Sequence, residues 1–178
     1  PAPFHSGGPG SGLFKSMDGG TTWRPVRDGL PAGDLGRIAV AVMPSRPSVL
    51  YAAVEAEKSG FYRSDDLGES WHLTTDQKVI TGRPFYFGHL VPDPVDHERI
   101  YKMNTFVVSS RDGGRLFGGI GGWVHADGHA MWINPRDPQH IVLGTDGGLY
   151  ISHNRGDGFR HVPNLPISQF YHVSVDDR

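Results

Sequence analysis

His125, Asp127 and His129 alternate along a stretch that reads HADGHAMW and ends at Trp132. Successive side chains of a β-strand point to opposite faces, so an extended chain would place the two imidazoles and the carboxylate on one face. Imidazoles and carboxylates are ligands that suit a divalent transition metal. The stretch therefore predicts a metal site at His125, Asp127 and His129. The alternative is that these side chains form hydrogen bonds with neighbouring segments or with water.

A second candidate stretch reads RPFYFGH and runs from Arg83 to His89. Arg83, Tyr86 and His89 offer a guanidinium for bidentate hydrogen bonds and an aromatic ring for stacking, which suits an anionic or sugar ligand. The alternative is that Phe85 and Phe87 belong to the core and that Arg83 pairs with a nearby carboxylate. Both stretches lead into a Pro-led turn, so each is expected to lie on the innermost strand of its repeat unit.

Trp132 and Asp146 complete the candidate ligand-binding set. A glycosidase-like site needs two carboxyl groups about 5 to 10 Å apart in a cleft. Asp127 and Asp146 are the two carboxylates that we nominate for such a pair. No serine lies in a Gly-x-Ser-x-Gly elbow, and no catalytic residue is assigned from a motif.

The segments that must position these side chains contain a repeated octet. Ser16–Trp23 (SMDGGTTW) and Ser64–Trp71 (SDDLGESW) share the pattern S-x-D-x-G-x-[ST]-W, and weaker copies begin at Ser110 (SRDGGRLF) and Ser152 (SHNRGDGF). The aspartate can accept hydrogen bonds from its own turn, the glycine permits a left-handed backbone, and the aromatic ring can pack between repeat units. The octets are therefore predicted to be structural, through Ser16, Asp18, Gly20, Trp23, Ser64, Asp66, Gly68, Trp71, Ser110, Asp112, Gly114, Phe117, Ser152, Asn154, Gly156 and Phe159.

A second marker alternates with the octets. Pro-led turns begin at Pro44, Pro94 and Pro135, and each leads into a run of β-branched or aromatic residues. Four short strands in each period of 40 to 50 residues are typical of a β-propeller blade. The chain is thus predicted to be an all-β propeller of four-stranded antiparallel blades. We expect full blades at about 35–76, 85–120 and 127–163, a partial blade at 11–30 and the first strand of another at 169–176.

The octets resemble those of the Asp-box, or BNR-repeat, propellers. The Pro turns and the run DGGLYIS from Asp146 to Ser152 are most similar to the sortilin-type and xyloglucanase-type members and to large secreted glycosyl-hydrolase-like proteins. This resemblance covers about residues 11 to 175. It implies octets at the blade periphery, away from the active site, and a secreted or periplasmic protein. The sialidase Arg-Ile-Pro motif does not occur, because Arg37-Ile38 is followed by Ala39.

These features predict a propeller module that binds a protein or glycan ligand at its central channel face. Part of a glycosidase-like hydrolase is the first alternative, and the metal site is the second. A net charge of −2 and a pI near 6.6 give no reason to expect nucleic acid as a partner. No apolar run approaches the roughly 20 residues needed to insert into a membrane. We expect the ring to be completed by further blades of a longer chain or by self-association.

Overall fold

The structure is a computed structural model, and it describes residues 7–83, 86–166 and 174–175. Its strands form one two-stranded and three four-stranded sheets, all antiparallel. Blade I contains β1 (Leu13–Lys15) and β2 (Arg24–Val26). Blade II contains β3 (Ile38–Val42), β4 (Leu50–Val54), β5 (Gly60–Ser64) and β6 (His72–Thr75).

Blade III contains β7 (Leu90–Pro92), β8 (Ile100–Lys102), β9 (Val108–Ser110) and β10 (Gly118–Gly119). Blade IV contains β11 (Gly128–Ile133), β12 (His140–Thr145), β13 (Gly148–His153) and β14 (Arg160–Val162). A 3-10 helix at Lys78–Ile80 lies between blades II and III. None of the helical residues that the structure describes form a segment long and apolar enough to cross a membrane.

In every sheet the strands follow one another in chain order, which confirms the predicted all-β propeller with four-stranded blades and a partial blade at the start. Each Pro-led turn joins the first strand of a blade to the second, and each octet joins the third strand to the fourth. The predicted strand at 169–176 lies outside the described residues except for positions 174 and 175.

The Pro-led turn and the octet of each full blade are bonded to each other. The fourth residue of the octet donates its N–H to a carbonyl oxygen five positions into the Pro-led segment. The three bonds are Leu67 to Ser48 at 3.0 Å, Gly113 to Glu98 at 2.9 Å and Arg155 to Gln139 at 3.1 Å. This contact gives a physical reason why the two markers keep a constant order along the chain.

The octet serine and aspartate are hydrogen-bonded within their own turn. In blade II, the Ser64 hydroxyl donates to Asp66 at 2.7 Å and accepts the N–H of Gly68 at 2.8 Å. The Asp66 carboxylate accepts bonds from the hydroxyl and the N–H of Ser70, and these bonds hold its pKa well below its usual range. In blade I, bonds from Thr22 lower the pKa of Asp18 to about 2.

The fourth and fifth octet residues both have a left-handed backbone. In two of the octets both positions are glycine, with φ of 70° and 93° at Gly19 and Gly20 and of 72° and 85° at Gly113 and Gly114. Leu67 (φ 63°) and Arg155 (φ 56°) take the fourth position in the other two. A residue with a Cβ atom is strained in this region, so the octet geometry overrides local preference at these two positions.

The core lies between the blades. Tyr51 and Phe61 of blade II pack with Ile100 and Val108 of blade III in one buried cluster. Blades III and IV share a second cluster, and blades I and II share a third. Each blade is thus stabilised mainly by its neighbours, as expected for stacked repeat units.

The octet aromatic rings extend this packing toward the preceding blade. Trp71 is buried against blade I, and Phe117 is buried against blade II. The same prediction for Trp23 is wrong, because its ring is 62% exposed and its indole N–H donates to Gly20 of its own turn at 3.0 Å. The physical reason is that no blade precedes blade I among the described residues, so nothing there covers the ring.

Candidate functional site

The first strands of the blades lie toward the centre of the ring, because β3 and β7 of adjacent blades contact each other. Two of the sequence candidates are close to the starts of such strands. Arg83, Tyr86 and His89 precede β7, and His129 is the second residue of β11. The structure therefore brings both candidate stretches to the same end of neighbouring blades.

Six of the eight ligand candidates meet around His129, and we call this group the His129 cluster: Arg83, Tyr86, His89, Asp127, His129 and Asp146. The His129 side chain is buried, and its Nε2 lies 2.7 Å from Oδ1 of Asp146, a distance at which the imidazole N–H donates to the carboxylate. Nδ1 of His89 lies 3.4 Å from the carbonyl oxygen of His129. The Tyr86 ring meets the imidazole edge to face, with centroids 5.6 Å apart.

A β-bulge in β11 directs the His129 side chain toward this cluster. The register with β12 shifts between Gly128 and Ala130, so His129 is the extra residue of a bulge and is not paired in the ladder. Gly128 is required beside it, because a Cβ atom there would lie 2.3 Å from the Val107 side chain. Asp146 comes from the turn that joins β12 to β13.

Arg83 and Asp127 both have a left-handed backbone, with φ of 49° and 60°. The guanidinium Nη1 of Arg83 lies 3.8 Å from Oδ1 of Asp127. That carboxylate oxygen is buried and has no hydrogen-bond partner among the described residues. Strained backbone and an unsatisfied buried oxygen are features that concentrate at functional sites.

Aromatic rings lie directly under the Arg83 guanidinium. Its central carbon is 5.8 Å from the Tyr86 ring centroid and 5.7 Å from that of Phe87. Tyr86 remains 48% exposed, whereas Phe87 is buried. The exposed face of the cluster thus combines a flat apolar ring with a cation and two carboxylates.

The buried Lys102 is hydrogen-bonded to the segment that carries Tyr86. Nζ of Lys102 donates to the carbonyl oxygens of Phe87 and Met103, both at 2.8 Å, and the residue is 1% exposed. Burial, with a smaller contribution from the charge of Arg37, lowers the pKa of Lys102 to about 8. The bond to Phe87 fixes the segment that carries Tyr86.

The expectation that His125, Asp127 and His129 share one strand face is wrong. β11 begins only at Gly128, and the left-handed backbone of Asp127 breaks the alternation. The His125 ring lies instead beside Trp123 and 3.0 Å from the carbonyl oxygen of Ala126. Among the described residues no three histidine, aspartate or glutamate side chains group closely enough to hold a metal ion. A divalent metal bound in some other way stays a prediction.

Trp132 also lies apart from the cluster, where its ring meets His140 edge to face at 5.8 Å. Phe85 is outside the described residues. The alternative prediction for Arg83, pairing with a carboxylate, describes its contact with Asp127. Sequence reasoning missed Lys102, which the pattern of alternating burial cannot distinguish from a surface lysine. It also missed Trp123. The signal that could have identified this residue is its position directly after the glycine-rich run 118–122.

No family model matches the chain. The oligoxyloglucan-reducing end-specific xyloglucanase of Emericella nidulans is 23% identical over 82% of the chain and 20% of its own length. An ancestral GH74 enzyme superposes with a TM-score of 0.61 at 17% identity, over 85% of the chain and 21% of the enzyme. The GH74 enzyme of Niastella koreensis gives a TM-score of 0.57 at 16% identity, over 73% of the chain and 22% of the enzyme.

These comparisons agree with a β-propeller fold. The chain spans about a fifth of the length of each of these relatives. At such identities the structural likeness concerns the fold, and function must be argued from the residues of the site.

Proposed function

We propose that this chain is part of a propeller that binds a glycan at the His129 cluster. One observation carries the proposal. Two segments that are some 40 residues apart in sequence meet so that the half-exposed Tyr86 ring lies beside Arg83, Asp127 and Asp146. The likeness to xyloglucanases supports a glycan over other ligands of similar polarity.

The chemistry of the cluster suits a neutral sugar ring. The apolar face of a pyranose can stack on Tyr86, and its hydroxyl groups can donate to carboxylates and accept from Arg83. The Asp127 side chain is 27% exposed, and this exposed part can accept a hydrogen bond from such a hydroxyl, whereas its Oδ1 is buried. A protein ligand is the alternative, since Tyr and Arg are also common anchors of protein interfaces.

Isothermal titration calorimetry with xyloglucan oligosaccharides tests the binding proposal. Tyr86→Ala should weaken binding at least tenfold, because the stacking surface is removed. Phe14→Ala is the matched control, since Phe14 has the same 48% exposure but lies on blade I. Absence of binding to any glycan, or an equal loss in both variants, would contradict the proposal.

A second pair of variants tests the polar half of the cluster. Arg83 pairs with Asp127, whereas Arg111, on the octet of blade III, pairs with Asp157, on the octet of blade IV. Both arginine side chains are about half exposed. Arg83→Gln should weaken glycan binding several-fold, whereas Arg111→Gln should leave it unchanged. The same affinity in both variants would show that the arginine of the cluster does not contact the ligand.

We propose glycoside hydrolysis as a second candidate function of the whole protein. The observation that favours it is that Asp127 and Asp146 lie in one cluster, where the N–H of Asp146 donates to the carbonyl of Asp127 at 3.3 Å. In such a reaction one carboxyl group protonates the leaving oxygen and the other activates water or attacks the sugar. Asp127→Asn and Asp146→Asn in the full-length protein should each abolish the release of reducing ends from xyloglucan. Unchanged release in both variants would contradict this role.

We propose further that the octets are Asp-box turns of the sortilin or xyloglucanase type and that the protein is secreted or periplasmic. The serine of each turn, hydrogen-bonded to an aspartate or in the fourth octet to Asn154, and the similarity to a xyloglucanase support the assignment. Fractionation of the producing cells tests the location. Recovery of the protein from the cytoplasm alone would contradict it.

A further inference from the structure

Trp123 exposes more of its surface than any other large apolar side chain in the described part of the chain, at 77%. An indole in water forgoes the stabilisation that burial of its apolar area would provide. Aromatic rings held in solvent often mark a binding surface, because one end of the ring is apolar and the indole N–H is polar. The exposed indole of Trp123 is therefore a candidate binding surface.

The linker that carries Trp123 is held firmly on blade IV. It runs from Ile120 to Asp127 between β10 and β11. Three hydrogen bonds fix its backbone, from Gly121 to Gly156 at 2.7 Å, from His125 to the Tyr150 hydroxyl at 3.3 Å and from Asp127 to Thr105 at 2.8 Å. The indole is thus presented from a fixed backbone, which reduces the entropy lost when a ligand binds.

Close contacts on both sides of Trp123 reinforce this placement. A Cβ atom on Gly121 would lie 1.9 Å from the carbonyl oxygen of Asp157, so this glycine lets the linker lie directly on the octet of blade IV. A Cβ atom on Gly147 would lie 2.4 Å from the Cβ atom of His125. The His125 ring meets the indole at 90°, with centroids 6.4 Å apart, and braces it.

These contacts form a continuous path to the His129 cluster. His125 touches Gly147, which follows Asp146 in the turn between β12 and β13, and Asp146 accepts the bond from His129. Tyr86 lies on the other side of His129. Because this path passes through three intervening side chains, a ligand that contacts both Tyr86 and Trp123 must contain several sugar units.

We infer that Trp123 is a second sugar-binding platform, which stacks against one pyranose unit of a glycan chain while another unit of the same chain is held at the His129 cluster. This inference rests on the proposed glycan-binding function and names its ligand as an oligosaccharide rather than a monosaccharide. The apolar C–H face of the pyranose covers the indole. Trp123 accordingly sets the preference for ligand length.

The test measures affinity for a xyloglucan monosaccharide-to-oligosaccharide length series by calorimetry, together with tryptophan fluorescence. In the wild type, affinity should rise about tenfold once the ligand is long enough to reach Trp123. Trp123→Ala should remove that rise and leave the affinity for the shortest bound ligand unchanged, and Trp123→Phe should restore part of it. Trp23→Ala is the matched control, because Trp23 is 62% exposed on the octet of blade I.

The outcomes separate the inference from the proposed function. If Tyr86→Ala abolishes binding and Trp123→Ala keeps the full length dependence, the inference is wrong and the proposed function stands. If Trp23→Ala and Trp123→Ala weaken long ligands equally, the inference is also wrong, because the effect then has no relation to the path. If the wild type binds no member of the series, the proposed function fails and the inference fails with it.

Discussion

The octets and the His129 cluster use their polar side chains in opposite ways. In each octet a serine donates to the aspartate or asparagine two positions later, at 2.7 to 2.8 Å, and accepts the N–H of the fifth residue. The arrangement occurs four times with the same partners. The His129 cluster occurs once among the described residues and joins segments far apart in sequence.

We propose that this difference reflects a separation of stability from recognition. An octet satisfies its serine and aspartate within eight residues, so these groups have little capacity left for a ligand. The cluster leaves Oδ1 of Asp127 without a hydrogen-bond partner in the described structure and keeps Tyr86 half exposed. We therefore interpret the octets as structural turns and the cluster as the binding site.

The largest effect on unfolding free energy near the His129 cluster is expected at Lys102. Because its pKa is lowered to about 8 from 10.5, the unfolded chain binds the additional proton between these values, and the wild type gains stability as pH rises through them. Lys102→Met should lack this gain. The difference in unfolding free energy between the two proteins should shift by roughly 3 kcal/mol in favour of the wild type between pH 7 and pH 11.

Urea unfolding at several pH values measures this shift. Lys58→Met is the control, because Lys58 is exposed and should follow the wild type. Effects of high pH on tyrosines, such as Tyr51 with its pKa raised to about 12 by burial, are shared by all three proteins and cancel in the comparison. A difference that stays constant with pH would show that Lys102 is not held away from water.

The fold could be predicted from the sequence because its signals are local and repeated. Each octet contains all the atoms of its own turn, and the Pro-led segments bond to the octets at Leu67, Gly113 and Arg155. The packing of Trp23 was predicted wrongly because it depends on a neighbouring blade. The bounds of the strands and the contacts between blades depend on how the blades pack together, so they could not be predicted from local sequence.

The site could be predicted only in part. The two stretches 83–89 and 125–132 were found from residue types, but their meeting depends on the bulge at His129 and on the turn that carries Asp146. The prediction that His125, Asp127 and His129 lie on one face assumed a regular strand with side chains alternating between faces. The left-handed backbone of Asp127 interrupts that alternation. Lys102 was missed because no sequence pattern reports that a lysine is buried.

On the octet side, Ser64→Ala should have the largest effect. Ser64 is fully buried, and its hydroxyl bonds to Asp66 and to the N–H of Gly68. Its loss leaves the buried N–H of Gly68 without its acceptor, while Asp66 keeps its bonds from Ser70, and should lower the unfolding free energy by about 2 kcal/mol. Ser16→Ala makes the same change in the partly exposed octet of blade I and should cost about half as much. Equal costs would indicate that burial does not control the strength of the turn.

A smaller effect of opposite sign is expected at Leu67. Its left-handed backbone (φ 63°) is strained, and the equivalent octet position is glycine at Gly19 and Gly113. Leu67→Gly should therefore raise the unfolding free energy by about 0.5 to 1 kcal/mol. Gly68→Ala (φ 79°) is the reciprocal control and should lower it by a similar amount or more. Chemical denaturation of both variants checks the signs, and destabilisation by Leu67→Gly would contradict the strain.

The smallest effect is expected on the unfolding free energy at acidic pH. Hydrogen bonds from Ser70 and Ser64 lower the pKa of Asp66 from 3.8, so its contribution is present above that value and is lost as pH falls below it. The wild type should weaken between pH 4 and pH 2, and Asp66→Asn should show a flatter dependence over the same range. Asn154 of the fourth octet has no carboxyl group, and Asn154→Asp should steepen the dependence. Parallel pH curves for all three proteins would contradict the linkage.

The central claim, that the octets stabilise and the cluster binds, is tested most directly by measuring both properties in two variants. Ser64→Ala and Tyr86→Ala are each characterised by urea unfolding and by calorimetric titration with xyloglucan oligosaccharides. We predict that Ser64→Ala lowers the unfolding free energy and keeps the affinity of the folded protein, while Tyr86→Ala does the reverse. If Ser64→Ala weakens binding of the folded protein as strongly as Tyr86→Ala does, the separation of structural turns from binding site is wrong.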